Sequence, residues 1–139
     1  MTPQREDVLA KVRKWVGVAD DDLAVARHIL ELRPHCPFRM AAYHAQQCAE
    51  KYLKGYLVWR DIDFPHTHNI ARLRKLCSEH ADWAAELHDA DELSPFAITA
   101  RYPGESLVVT QADADLSVQI AERVRRAVRQ ALENEGLEL

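Results

Sequence analysis

The chain has 139 residues, 47% hydrophobic and 29% charged, with only four glycines and six prolines. That length fits one domain spanning 1–139, and nearly half the chain is Ala, Leu, Arg, Glu or Lys, which excludes disorder and leaves too few turn residues for a β-sandwich or βαβ fold. Eighteen basic against 22 acidic side chains give a net charge of −4, so no global field draws the chain onto nucleic acid, although a local basic stripe stays open.

The first helix is expected from about Arg5 to Leu32. Val8, Val12, Trp15, Val16, Ala19, Leu23, Ala26, Ile29 and Leu30 recur there at three- and four-residue steps. Pro34 and Pro37 stop it. A second helix runs from Phe38 to about Arg60, with an Ala-rich half (Ala41, Ala42, Ala45, Ala49) and an aromatic half (Tyr52, Tyr56, Trp59). Arg39, His44, Gln46, Gln47, Glu50, Lys51 and Lys54 fill its other side. That much apolar width predicts a two-fold homodimer built on this helix. A short third helix follows, with Ile70, Leu73, Leu76 and Cys77 on one face and Thr67 or Asn69 as N-cap. A fourth starts near Ala81 or Asp82 and is interrupted at Pro95. Residues 99–105, with Pro103-Gly104, read as a loop. Thr110 then caps a long last helix, with Asp113 in its first turn and Leu116, Ile120, Val124, Ala127, Val128 and Leu132 as its buried row. The fold class is all-α, an antiparallel up-and-down bundle of four to five helices.

Three cysteines, Cys36, Cys48 and Cys77, lie far apart without a CxxC pair, which argues against a disulfide framework or a cysteine zinc site. The N-terminal stretch carries charges throughout, and no segment has the roughly 18 uncharged apolar residues of a membrane span. A soluble cytoplasmic protein is expected. Four unclustered glycines exclude a P-loop or dinucleotide fingerprint, so no cofactor is predicted. His66-Thr67-His68 lacks a completing ligand cluster and reads as a turn at the third helix, with no metal expected.

His44, Gln47 and Lys51 share one ridge of the second helix, suited to a phosphate or to a carboxylate-bearing helix; the alternative is a solvated face. Arg39 and His44 diverge by roughly 140° on a continuous helix, so they make no catalytic pair. Arg60–His66 and Arg74–His80 show how cheaply that spacing arises in a chain with 13 arginines and seven histidines. Arg123, Arg125, Arg126 and Arg129 read partly as intrahelical pairing, with Glu122 one turn from Arg126, and otherwise as a phosphate-facing patch.

The segment from Tyr43 to Lys54 (YHAQQCAEKYLK) resembles the FHAQQAAEKYLKA signature of HEPN-domain proteins. Trp15 with Ala19-Asp20-Asp21-Asp22-Leu23-Ala24-Val25-Ala26 is similar to that family's opening. Pro65-His66-Thr67-His68-Asn69-Ile70 is similar to its turn before the third helix, and Ala100-Arg101-Tyr102-Pro103 to the RYP element of one branch. The resemblance spans nearly the whole chain in the right order. It implies a helical bundle, usually homodimeric, in a family that includes toxin subunits paired with minimal nucleotidyltransferases and many metal-independent ribonucleases. The family's catalytic motif, Arg followed after four to six residues by His, maps onto Arg101, but the His positions hold Ser106, Leu107 and Val108.

The resulting reading is a non-catalytic HEPN-like module, toxin-like or accessory to a nucleotidyltransferase. It binds a nucleotide or RNA phosphate through Arg101, Tyr102, His44, Gln47 and Lys51. Two alternatives stay open. One is a ribonuclease toxin that brings His44 or His68 beside Arg101; the other is a structural dimer without a ligand.

Overall fold

The computed structural model describes residues 2–99 and 108–139. Its elements are α1 (Pro3–Ile29), α2 (Phe38–Trp59), α3 (Ile70–Ser78), α4 (Asp82–Ala85), a 3₁₀ turn (His88–Leu93), α5 (Phe96–Thr99) and α6 (Gln111–Asn134). Among the described residues there is no strand. No helix among them is long and apolar enough to cross a membrane.

Local chemistry sets the helix ends. The Thr2 hydroxyl accepts from Arg5 N at 3.2 Å, with Pro3 in the first turn where no N–H is needed. Asn69 caps α3 by accepting from Arg72 N at 3.2 Å. Thr110 and Asp113 form a reciprocal capping box at α6, as their spacing predicts. Two C-termini close in the same way. Past α2, Asp61 (φ 56°) turns left-handed, and Ile62 N donates to Leu57 O at 2.9 Å. Past α6, Gly136 (φ 103°) does so, and Leu137 N donates to Leu132 O at 2.9 Å. Ile62 and Leu137 thereby fold back onto the core.

Pairings such as Asp22–His44 in the first half of α2 and Arg5–Trp59 at its end set α1 antiparallel to α2. Arg27–Glu122 and Arg13–Glu138 set it antiparallel to α6. Tyr52–Arg129 and Tyr56–Glu135 show α2 and α6 running parallel. α2 is the axis of the bundle: from Ala45 to Leu57 every residue except Lys51 is buried.

Three expectations need correction. α1 ends at Ile29, one turn early, because Leu30 to Leu32 continue only as turns ahead of Pro34. Leu116 is 46% exposed, since the buried register of α6 runs through Ala114, Ser117, Val118, Ala121 and Val124. The Ala-rich and aromatic halves of α2, the basis for a dimer on that helix, are consumed inside the protomer: Ala41, Ala42, Ala45, Ala49, Tyr52 and Tyr56 have no exposed surface, and Trp59 has 6%.

α1 and α2 approach tightly at Gly55, where a Cβ would stand 3.2 Å from Trp15 Cβ. Gly55→Ala therefore sets a helix-propensity gain of ~1 kcal/mol against a tight contact. Gly55→Val adds the Cβ and two methyls to the same gap and is expected to lose about 1–3 kcal/mol in urea unfolding.

Candidate functional site

Two aspartates of α1 organise the polar interior. Asp20 and Asp22 lie about 200° apart around the helix and so flank its contact with α2. Asp22 faces the predicted ridge: Lys51 Nζ donates to Oδ2 at 2.6 Å, and His44 Nδ1 lies 2.9 Å from Oδ1. The ridge is therefore no solvated face. The Asp22 carboxylate is only 12% exposed, while His44 and Lys51 keep 24% and 20% of their side chains in solvent. With Nδ1 held by Asp22, His44 has Nε2 left for another partner, an arrangement compatible with proton transfer. The ring also meets Tyr43 edge to face at 5.2 Å.

Gln47, the third member of the ridge, turns inward. Its Nε2 donates to Gln46 Oε1 at 2.7 Å, and Gln46 Nε2 donates to Glu50 Oε1 at 3.1 Å and to the His68 carbonyl at 3.3 Å. Glu50 also accepts from Lys54 Nζ at 3.1 Å and meets His68 Nδ1 at 2.7 Å. The sequence pattern placed Gln46, Gln47, Glu50 and Lys54 on the polar side, yet all four are buried. Their mutual hydrogen bonds make that tolerable, since a buried polar group is costly chiefly when unpaired. His68 thus ties the turn before α3 down to α2, and His66 is exposed. Among the described residues, no group of three His, Cys, Asp or Glu side chains is placed to hold a metal ion.

Asp20 binds the other flank. It accepts from the Tyr52 hydroxyl, from Arg125 Nε at 2.9 Å and from Arg129 at 3.5 Å. Burial, and then the bond to Asp20, hold the Tyr52 phenol well above its ordinary ionisation range; Asp20 likewise raises Arg125. Arg125 and Arg129 are accordingly committed between helices rather than within α6. Arg123 pairs with Asp89, and Glu122 pairs with Arg27 of α1, not with Arg126. Arg60 engages Glu135 and Arg74 engages Asp91, so neither makes a pair with a histidine.

Burial pushes the Cys48 and Cys77 thiols up to about 12, with Asp20 and Asp22 adding to the effect at Cys48. Neither is a nucleophile near neutral pH. A thiol reagent applied to the native protein is expected to modify the half-buried Cys36 alone, and all three after denaturation.

Arg101 and Tyr102, the remaining predicted ligand residues, lie outside the described residues, as do Ser106 and Leu107 and the loop read at 99–105 except for Thr99, which ends α5 instead. Val108 is 79% exposed. The pattern reading missed an open cleft between α1 and α2. Lys11, Lys14, Trp15 and Val18 line it from α1 and Lys51 from α2. The signal was available, because positions 11, 14, 15 and 18 are one helix face.

Fold and site define a helical-bundle protein whose three long helices are cross-braced by two α1 carboxylates, the buried Asp22 and the partly exposed Asp20. The HEPN domain family model matches residues 12–131. A crystal structure of an archaeal HEPN homologue is 26% identical, covering 88% of this chain and 98% of that one with a TM-score of 0.69. None of the curated proteins compared matches the chain. The protein belongs to the HEPN domain family.

Proposed function

We propose that this protein is a non-catalytic HEPN module that binds the phosphate of a nucleotide or RNA, as the toxin-like or accessory partner of a minimal nucleotidyltransferase and as the homodimer that the family resemblance implies, on a face other than the enclosed α2. The observation that carries the reading is the position of Lys51. Its ammonium is held at 2.6 Å by Asp22 and at the same time lines the open cleft with Lys11 and Lys14. A fixed ammonium in a cationic recess is a phosphate anchor. Arg101 and Tyr102 belong to the same reading through the family's RYP element. The absence of histidine at Ser106, Leu107 and Val108 removes the proton-transfer partner, a loss worth ~10²–10⁴-fold in rate. Arg101→Ala is expected to weaken binding of a labelled RNA or nucleotide about tenfold, the loss of one charge-assisted contact, with an unchanged melting temperature. Unchanged affinity with a large loss of stability would make Arg101 a structural brace instead.

A second reading, a metal-independent ribonuclease, is favoured by one observation: Asp22 orients His44 at 2.9 Å, as a general base requires. Single-turnover cleavage of a mixed-sequence RNA in EDTA distinguishes the two. The proposal expects background rates from the wild type. Robust cleavage abolished by both Arg101→Ala and His44→Ala would establish the enzyme.

A further inference from the structure

We infer that the outward face of α1 is a two-fold interface for a second copy of this chain, the two α1 helices packing antiparallel about the point between Gly17 and Val18. The inference rests on the homodimer read above, for which it supplies the face and the register.

The inner side of α1 packs into the core through Val12, Val16, Ala19 and Leu23. On the opposite side Lys14, Gly17, Val18, Asp21, Val25 and His28 are all exposed. Val18 and Val25, 46% and 42% exposed, stand one heptad apart there, two β-branched side chains left in water. Gly17 lies beside Val18, and a Cβ added to it would meet nothing within 4 Å. No contact inside the protomer therefore calls for a glycine, although glycine weakens the interior of a 27-residue helix. Gly55 has its reason in Trp15 of the same chain. Gly17 has one in a helix that comes close from outside.

The charges on this face choose the occupant. Asp7, Lys14, Asp21 and His28 follow at seven-residue steps down its middle. The side chains of Asp7, Lys14 and Asp21 have no ion pair or hydrogen bond among the described residues, and His28 has only a 3.9 Å contact with the exposed Glu31. An antiparallel copy centred between Gly17 and Val18 puts Lys14 opposite Asp21, Asp7 opposite His28, Val18 opposite Gly17 and Val25 opposite Ala10, each twice. The imidazole has an N–H for Asp7 in either charge state. Other arrangements fail on charge. Centring on Asp21 sets that carboxylate against itself, centring on Lys14 does the same for the ammonium, and a parallel pair opposes every charge to its own copy. The seven-residue row drifts by about 20° per heptad, which matches the shallow left-handed crossing of two packed helices. The second copy walls the α1–α2 cleft on its Lys14 and Val18 side and leaves Lys11, Trp15 and Lys51 open.

Sedimentation equilibrium of the full chain tests this. Lys14→Asp and Asp21→Lys are each expected to weaken self-association about tenfold or more, because the two-fold axis counts every substitution twice. An equimolar mixture of the two variants should regain the wild-type affinity, since both contacts in the mixed pair join opposite charges. Gly17→Gln should weaken association about tenfold or more by filling the seat of Val18. In dilute solution, where the copies are apart, that variant should melt no lower than the wild type, because it replaces a mid-helix glycine and touches nothing in the protomer. Wild-type association in both charge variants overturns the inference and leaves the homodimer to another face. A mixture that associates no more tightly than its components also overturns it. A wild type that stays monomeric at its highest soluble concentration ends both the inference and the homodimer reading.

Discussion

Glu50→Ala is expected to destabilise the protein by about 3–5 kcal/mol and to lower its melting temperature by roughly 10 °C or more. Glu50 is 3% exposed and receives Lys54, His68 and Gln46. Removing it leaves an ammonium that is 9% exposed without a counter-charge. The cost of breaking a buried pair is mostly this desolvated survivor, not the attraction that is lost. The double variant Glu50→Leu/Lys54→Met removes both charges at similar volume and should recover most of the loss. Urea unfolding of the two variants makes the comparison. If the double variant is as unstable as the single, the Gln46 and His68 bonds hold the structure instead.

Asp20→Ala is expected to cost about 1–3 kcal/mol, less than Glu50→Ala because Asp20 is 35% exposed and water compensates its arginines in part. Its particular signature is in the phenol. Burial is the first cause of the raised Tyr52 ionisation and the bond to Asp20 the second, so Asp20→Ala should bring that ionisation down without making it ordinary. The linkage has a definite sign. The folded chain keeps a proton that the unfolded chain releases near pH 10, so the stability contributed by Tyr52 is complete below that pH and falls as pH rises through it. Ultraviolet titration of the wild type and Asp20→Ala, alongside unfolding at pH 8 and about pH 11, measures both effects.

The long helices and their caps were legible because each rests on neighbours in sequence: Thr110 with Asp113, Asn69 before α3, the prolines after α1. The interior chemistry was not. Amphipathic patterning assumes that a helix has a wet side, and α2 has almost none, so Gln46, Gln47, Glu50 and Lys54 read as surface. Spacing along α6 likewise suggested partners within that helix for arginines whose carboxylates come from Asp20 and Asp89, more than 30 residues away. Leu116 was misplaced for a related reason: small residues, Ala114, Ser117 and Ala121, fill the buried face of α6 where a leucine was expected. Of the candidate site, Lys51 and His44 were found as neighbours on one ridge, but Asp22, which fixes both, is contributed by another helix and left no local pattern.

The enclosure of α2 also sets the order in which the molecule opens. Its backbone amides are screened by α1 on one side and α6 on another, and no fluctuation confined to a loop reaches them. In heavy water, the amides between Ala45 and Leu57 should exchange last, at a free energy close to that of global unfolding. The short α3–α5 segments should exchange through smaller openings. A ligand seated between α1 and α2 would then slow exchange even at positions remote from it, by holding together the two helices whose separation releases the axis.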